Sequence, residues 1–340
     1  MNLPRFQLLG PSTLKEALSL MTTYGEKVRV LAGGTEITGR LKHRLLSPPC
    51  ILSLKKVKGL GGIKQKKDDL VVGAATTLTD LAESRIVAHL SKSVSDAARH
   101  VAAPAIRNMA TLGGNLLQEN RCLYYNQSEL PRKRLGPCYK LGGATCHAAR
   151  GLNRCFSVYQ GDTASALIAV GAKVRLQNSR AVRTLPVEEL FTGKGTNPLS
   201  IGRGELLTEI IIPVSPQRTA SAYRRFAMRG SIDYPLASAA AFLTVGKDDT
   251  IDRARIVMGA CGSGPRIAQE AANMIKGKRP EDVSDVDVQQ AASLAVKGME
   301  AVDNLILPAS YRRELAAVMT ARALGEALAS LREVDHARRA

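Results

Sequence analysis

Four of the six cysteines in this 340-residue chain fall within thirty-four residues: Cys122, Cys138, Cys146 and Cys155, spaced C-x15-C-x7-C-x8-C. So dense a set of soft ligands limits the segment to shapes in which four thiols converge. It reads as a metal site set into a larger scaffold. Structural zinc usually shows two close C-x2-4-C knuckles, and this chain has none. The compact ferredoxin run is missing as well. Spacing therefore leaves zinc and an iron–sulfur cluster both open. Inert cysteine prefers a core, whereas this segment is rich in Gly, Arg and Lys. His147 adjoins Cys146, but with four thiols present a hydrogen-bonding role is expected of it. Cys50 and Cys261 stand in apolar contexts and are expected in the core.

The length allows two or three domains, and 45% apolar residues suit an ordinary globular chain. No run approaches the roughly 18 apolar residues of a membrane span. The start, Met1-Asn2-Leu3-Pro4-Arg5, shows no secretory pattern, so a cytoplasmic address is expected, where clustered cysteines more often hold metal than pair. The net charge of +18 suggests nucleic acid or an acidic protein as partner. Aromatic residues are 4% with no Trp, and the basic groups are scattered, which argues against nucleic acid.

Thr13 and Glu16 form a capping-box pattern ahead of an apolar stripe at Leu14, Ala17, Leu18 and Met21. A strand over 27–32 ends in Gly33-Gly34, a helix follows over 36–44, and a strand over 51–54 closes a first αβ unit. Further strands are expected over 69–75, 173–176 and 209–212, and helices over 79–88, 90–101 and 164–170. Pro213 to Pro216 reads as a linker. Beyond it come strands over 222–228, 239–245 and 255–258, then helices over 267–275, 285–296 and 311–331. The last carries Tyr311, Leu315, Val318, Leu324, Leu328 and Leu331 on one face. The class is α+β in several layers.

Adjacent glycines free the backbone and let a ligand approach. Successive N–H groups in such turns converge on anions. Gly33-Gly34 with Thr35, and Gly113-Gly114 with Asn115, together suit a pyrophosphate, although a single Gly-Gly is more often only a tight turn. Neither the Rossmann fingerprint nor the P-loop is present.

Leu31-Ala32-Gly33-Gly34-Thr35-Glu36 resembles the first flavin loop of the FAD-binding subunits of molybdenum hydroxylases, and Arg107 to Asn115 resembles the second. Asp162, Gly264-Pro265-Arg266 and Tyr311-Arg312-Arg313 are similar to later landmarks of that family. The resemblance implies an FAD-binding domain of the vanillyl-alcohol-oxidase (PCMH-like) type over 1–215, in subdomains of about 1–55 and 56–215. A C-terminal α/β domain like that of the carbon monoxide dehydrogenase flavoprotein would follow over 216–340. It further implies that FAD is held by Val30, Leu31, Ala32, Gly33, Gly34, Thr35, Glu36, Val101, Thr111, Gly113, Gly114, Asn115, Leu123, Asp162 and Arg225. The family often has Lys at position 225, and a guanidinium fork does not simply replace it.

Ordinary members pass from the second loop to the aspartate in a much shorter span. One branch has an inserted segment, here about 116–160, in which Arg121-Cys122 and Tyr125-Asn126-Gln127-Ser128 resemble its hallmark. That likeness implies a [4Fe-4S] cluster on Cys122, Cys138, Cys146 and Cys155. Electrons would run from reduced ferredoxin through the cluster and FAD to the [2Fe-2S] clusters of one partner subunit. They would end at the molybdenum cofactor of another, in an (αβγ)2 assembly. There the phenolic hydroxyl of 4-hydroxybenzoyl-CoA would be removed, so no catalytic acid or base is expected in this chain. Arg132, Lys133, Arg134, Lys140, Arg150 and Arg154 are expected to form the donor's docking surface. The alternative within the family is the flavin subunit of an NAD-linked xanthine or aldehyde dehydrogenase.

Overall fold

The computed structural model describes residues 2–215 and 218–339. Three sheets carry the architecture of these residues. The first is a parallel trio in the order Gln7–Leu9, Cys50–Ser53, Val28–Leu31. Parallel neighbours need crossovers, and helices Leu14–Tyr24 and Ile37–Lys42 lie in them. Thr13 caps the first helix, its hydroxyl accepting from Glu16 N at 3.1 Å. The Glu16 carboxylate reaches past the cap to Ser12 N at 2.8 Å, so the expected box closes one residue early.

The second sheet is antiparallel, in the order Ile63–Lys66, Asp69–Gly73, Leu206–Pro213, Lys173–Gln177, Val182–Pro186. Leu70, Val72, Val174, Leu176, Ile210 and Ile212 alternate inward, as the two-residue strand period requires. They share a core with helices Leu78–Glu83, Lys92–His100 and Asp162–Ala169. The single helix expected over 79–88 is two, Leu78–Glu83 and Arg85–Leu90. Ser84 is the cause: its extended backbone ends the first, and its hydroxyl accepts from Val87 N to start the second.

The third sheet runs Arg266–Ile267, Ile251–Gly259, Ala237–Val245, Arg218–Phe226. Every residue of Ala237–Val245 is buried. Ala237, Ala239, Ala241, Leu243 and Val245 join a core with the long helix Ala309–Arg339. Ala240 and Phe242 point the other way, into the core of the second sheet. One strand thus holds both halves of the chain together. Of the stripe expected on the last helix, Tyr311 and Val318 are exposed, at 44% and 42%. Alanines 316, 323 and 327 complete the buried seam instead, since close packing on an alanine-rich sheet favours small side chains.

The cysteine segment hangs from a narrow neck, a two-residue bridge in which Arg121 and Val158 exchange N–H···O bonds of 2.9 and 2.8 Å. It contains the short helix Glu129–Leu135. Among the described residues no helix is long and apolar enough to cross a membrane.

Candidate functional site

The two glycine loops touch. A Cβ on Gly33 would lie 1.6 Å from the Met109 carbonyl oxygen, so only glycine lets the first loop rest on the approach to the second. Gly34 has φ +79°, a left-handed value that also favours glycine. Gly113 is similarly constrained, with Ala74 O at 2.9 Å from a Cβ position.

The loops differ in what their amides are doing. In the second, Leu112 N donates to Thr76 O, Gly113 N to Ala74 O, Gly114 N to the Thr111 hydroxyl and Asn115 N to Thr111 O. Its N–H groups are spent holding Leu112–Leu116 in place. In the first loop, no protein acceptor among the described residues meets the amides of Gly33, Gly34, Thr35 or Glu36. The free amides are therefore those of the first loop, and the second is its rigid backing.

A cleft opens on either side of this junction. The smaller, about 190 Å³, is lined by Val30, Ala32, Gly33, Gly34, Thr35, Glu36, Thr111, Gly113 and Gly114, with Leu54, Leu60 and Leu206. The larger, about 600 Å³, takes in Gly33 to Glu36, Val101, Gly114, Asn115 and Asp162, with Gln118, Gln160 and Tyr234. Leu31 turns away from both into a small core with Ile37, Leu41 and Ile51, as strand alternation dictates. Leu123 also lies outside both, exposed and donating its amide to Asn304 O at 2.9 Å. Gln118, Gln160 and Tyr234 carry no motif. The signal available for Tyr234 is an aromatic ring in a polar Ser-Ile-Asp-Tyr-Pro turn.

Asp162 forms part of the wall of the larger cleft and is 3% exposed. Its Oδ1 accepts from the Tyr223 hydroxyl at 2.7 Å and from Arg225 Nη1 at 3.0 Å. Burial pushes its carboxyl above the usual range, and Arg225 pulls the other way. Arg225 thus acts on the cleft through Asp162, as the buried partner of a buried charge. Asn115 Oδ1 accepts from the Thr163 hydroxyl at 2.7 Å, tying the second loop to the same helix. At the cleft's edge Ala102 and Ile232 both have positive φ, and Ile232 N donates to Ala102 O. A β-branched residue in that region is strained.

Cys122, Cys138, Cys146 and Cys155 all line one small cavity of about 20 Å³, together with Tyr124, Tyr125, Tyr139 and His147. Cys122 Sγ accepts from Tyr125 N at 3.3 Å. Burial pushes the Cys122 thiol up to about 11 and raises Cys138 as well, while backbone N–H groups aimed at each sulfur oppose it. Among the described residues no three His, Cys, Asp or Glu side chains are grouped as ligands of a single metal ion. His147 packs against the Tyr124 ring, centroids 4.8 Å apart. Cys50 and Cys261 are buried core residues.

Two ion pairs join this segment to the first loop and its helix. Arg121, next to Cys122, meets Glu36 at 2.5 Å and lies over the Tyr234 ring. Lys140 reaches Glu119 at 2.8 Å, and Glu119 in turn holds Arg40 at 3.1 Å. Two basic residues expected at a docking surface are therefore structural. The Lys140 side chain is 4% exposed in that network, and Arg132 is buried on the carbonyls of His43, Gln127 and Ser128. Lys133, Arg134, Arg150 and Arg154 remain exposed.

Residues 4–215 match the family model "FAD binding domain in molybdopterin dehydrogenase", and residues 221–327 match "CO dehydrogenase flavoprotein C-terminal domain". The chain is 28% identical to the carbon monoxide dehydrogenase medium chain of Afipia carboxidovorans, covering 95% of this chain and 97% of that one. It is 27% identical to the 6-hydroxypseudooxynicotine dehydrogenase complex subunit alpha of Paenarthrobacter nicotinovorans, covering 96% and 95%. Among solved structures, a cyanide-inactivated Cu,Mo-CO dehydrogenase superposes with a TM-score of 0.77 at 26% identity, over 97% of this chain and 99% of that one. With glycine loops, clefts and domain matches in agreement, the chain belongs to the FAD-binding subunits of the molybdenum hydroxylase family, of the CO dehydrogenase medium chain type.

Proposed function

We propose that this chain is the electron-transfer subunit of a 4-hydroxybenzoyl-CoA reductase, carrying a [4Fe-4S] cluster beside its FAD. The observation that carries the reading is that Cys122, Cys138, Cys146 and Cys155 face one cavity, in a segment pinned to the first glycine loop by Arg121 and Glu36. The donor set fits the group: four thiols on one cavity, with N–H groups directed at Cys122 and Cys138 that oppose the upward push of burial. A lone zinc would hold its sulfurs about 3.8 Å apart, given Zn–S bonds of about 2.3 Å. Metal analysis separates the two fits, four irons with sulfide for a cubane and one zinc for a tetrahedral site.

Bound FAD exchanges one or two electrons, which couples single-electron centres to two-electron chemistry. The amides of Gly33 to Glu36 would meet its pyrophosphate, and Thr111 and Asn115 would shape the facing wall. Asp162, held by Tyr223 and Arg225, would present a fixed negative group in the larger cleft. Reduced ferredoxin is the proposed donor. A [2Fe-2S] subunit and a molybdenum-cofactor subunit are the proposed partners, and substrate chemistry belongs to the latter.

The test is the iron, acid-labile sulfide and flavin content of anaerobically purified protein. Four irons per FAD are expected, and Cys138→Ser should lose the iron and keep the flavin. Colourless protein, or a single zinc per chain, would sink the proposal. A second reading is favoured by relatives named for nicotine, caffeine and xanthine: the flavin subunit of a dehydrogenase of such heterocycles, using NAD. Flavin without iron in the isolated subunit would select it.

A further inference from the structure

A third cleft, of about 790 Å³, shares no residue with the two beside the glycine loops. It lies against the cysteine segment, with Cys155 and Phe156 in its wall. Its other walls are the turn 192–196, the loop 261–266 and the segment 298–304 with Arg312 behind it. The size falls within the usual range of small-molecule sites.

Its charges do not balance. Arg154, Lys194, Arg266 and Arg312 line it, against Glu188 and Glu300. Both carboxylates are in ion pairs, Glu188 through Oε1 with Arg255 at 2.9 Å, its Oε2 having no hydrogen-bond partner among the described residues, and Glu300 with Arg154. Lys194 is exposed, and its ammonium has no protein partner among the described residues. Arg312 is the second, independent sign. It is 1% exposed, and its Nη2 donates to Val302 O and Asn304 Oδ1. Its Nε and Nη1 are buried with no acceptor. No carboxylate stands at ion-pair distance from it among the described residues, and burial depresses its basicity. A buried guanidinium ordinarily has an anionic partner. The acceptors within hydrogen-bond distance are neutral oxygens, the Asp303 carboxylate acts on it from beyond ion-pair distance, and Arg312 lines the cleft.

The remaining lining tells what the anion is attached to. Gly262, Ser263 and Gly264 form a turn whose amides meet no protein carbonyl among the described residues, a backbone suited to phosphate. Phe156 is half-buried in the wall with the Arg154 guanidinium 4.7 Å from its ring centroid, and Tyr139 lines the same side. Flat rings beside a cationic glycine turn are the chemistry of a base and its phosphates.

We propose that this cleft binds a nucleotide. Its phosphates would sit on Lys194, Arg266 and the 262–264 turn, with Arg312 as the countercharge beneath, and its base would lie against Phe156. The experiment is calorimetric titration of flavin-loaded protein with ADP, pyrophosphate and adenosine, while flavin absorbance is followed. Arg312 is built into the fold, so the variants are Lys194→Ala, Arg266→Gln and Phe156→Ala. ADP should bind with flavin retained and should outbind both fragments. Lys194→Ala and Arg266→Gln should each weaken ADP about tenfold, the loss of one charged contact. Phe156→Ala should weaken ADP and leave pyrophosphate unchanged. Flavin release on adding ADP would place the binding at the glycine loops and overturn the proposal. So would unchanged affinity in the rim variants, pyrophosphate binding as tightly as ADP, or no heat at millimolar ADP.

Discussion

Single atoms decide the flavin-side geometry. Gly33 is the clearest case: Gly33→Ala drives a methyl into the Met109 carbonyl. Overpacking of this kind costs about 1–3 kcal/mol, and more when backbone must move. The expected outcome is a protein with lower thermal stability and substoichiometric flavin, read by melting and by absorbance; a variant with full flavin and an unchanged melt would refute the contact. Arg225 makes a second case. Arg225→Met leaves the buried Asp162 carboxylate with Tyr223 alone, and breaking a buried pair this way costs about 3–5 kcal/mol. The sign with pH follows from burial, which already raises the Asp162 carboxyl above its ordinary 3.8. Removing Arg225 raises it further, so the folded variant prefers the protonated group. Its stability is then fully present below the ordinary carboxyl value and falls as pH rises through the folded one. Urea denaturation should show a deficit against the parent that is wide at neutral pH and narrow in acid. Arg225→Lys, keeping a charge, should fall between. A deficit independent of pH would remove the charge argument.

Elements were legible in the sequence where their periodicity was strong, and the exceptions share a cause. Four strands escaped the pattern, Gln7–Leu9, Ile63–Lys66, Val182–Pro186 and Arg266–Ile267, and each is an edge strand. Edge strands are kept short and charged, as Lys64 and Lys66 illustrate, so they lack the alternation that marks a buried strand. The glycine loops were legible because their spacing has a physical reason; Tyr234 and Gln118 were not, because cleft-lining side chains obey no period. The inserted segment shows how an element is fixed without periodicity. A Cβ on Gly195 would lie 2.4 Å from Cys155 O and 2.9 Å from its sulfur, so the turn 192–196 seats that cysteine directly. Gly195→Ala should displace Cys155 and lower iron content while flavin stays bound, as measured by metal and flavin assay on one sample. Equal iron in variant and parent would show that the turn does not position the thiol.

Across the whole molecule, the excess of positive charge is not spread evenly in function. Arg132 and Lys140 belong to the interior of the cysteine segment, which leaves Lys133, Arg134, Arg150 and Arg154 on its surface, the last paired with Glu300. Reversing Lys133, Arg134 and Arg150 to Glu should slow reduction of the flavin by an acidic electron carrier at low salt. Parent and variant should converge as ionic strength rises, because screening erases the difference beyond about 8 Å at 0.15 M. Stopped-flow traces that coincide at every salt concentration would exclude the surface as a landing site. Among the contacts that join the two halves of the chain are the shared strand Ala237–Val245 and Asn304, which accepts from Leu123 N and donates to Phe156 O. The second junction orders biosynthesis in time. A ribosome releases all four thiols well before it makes the residue that clasps their loop from outside. Until position 304 is made, the four thiols lie in a loop that lacks this outer clasp.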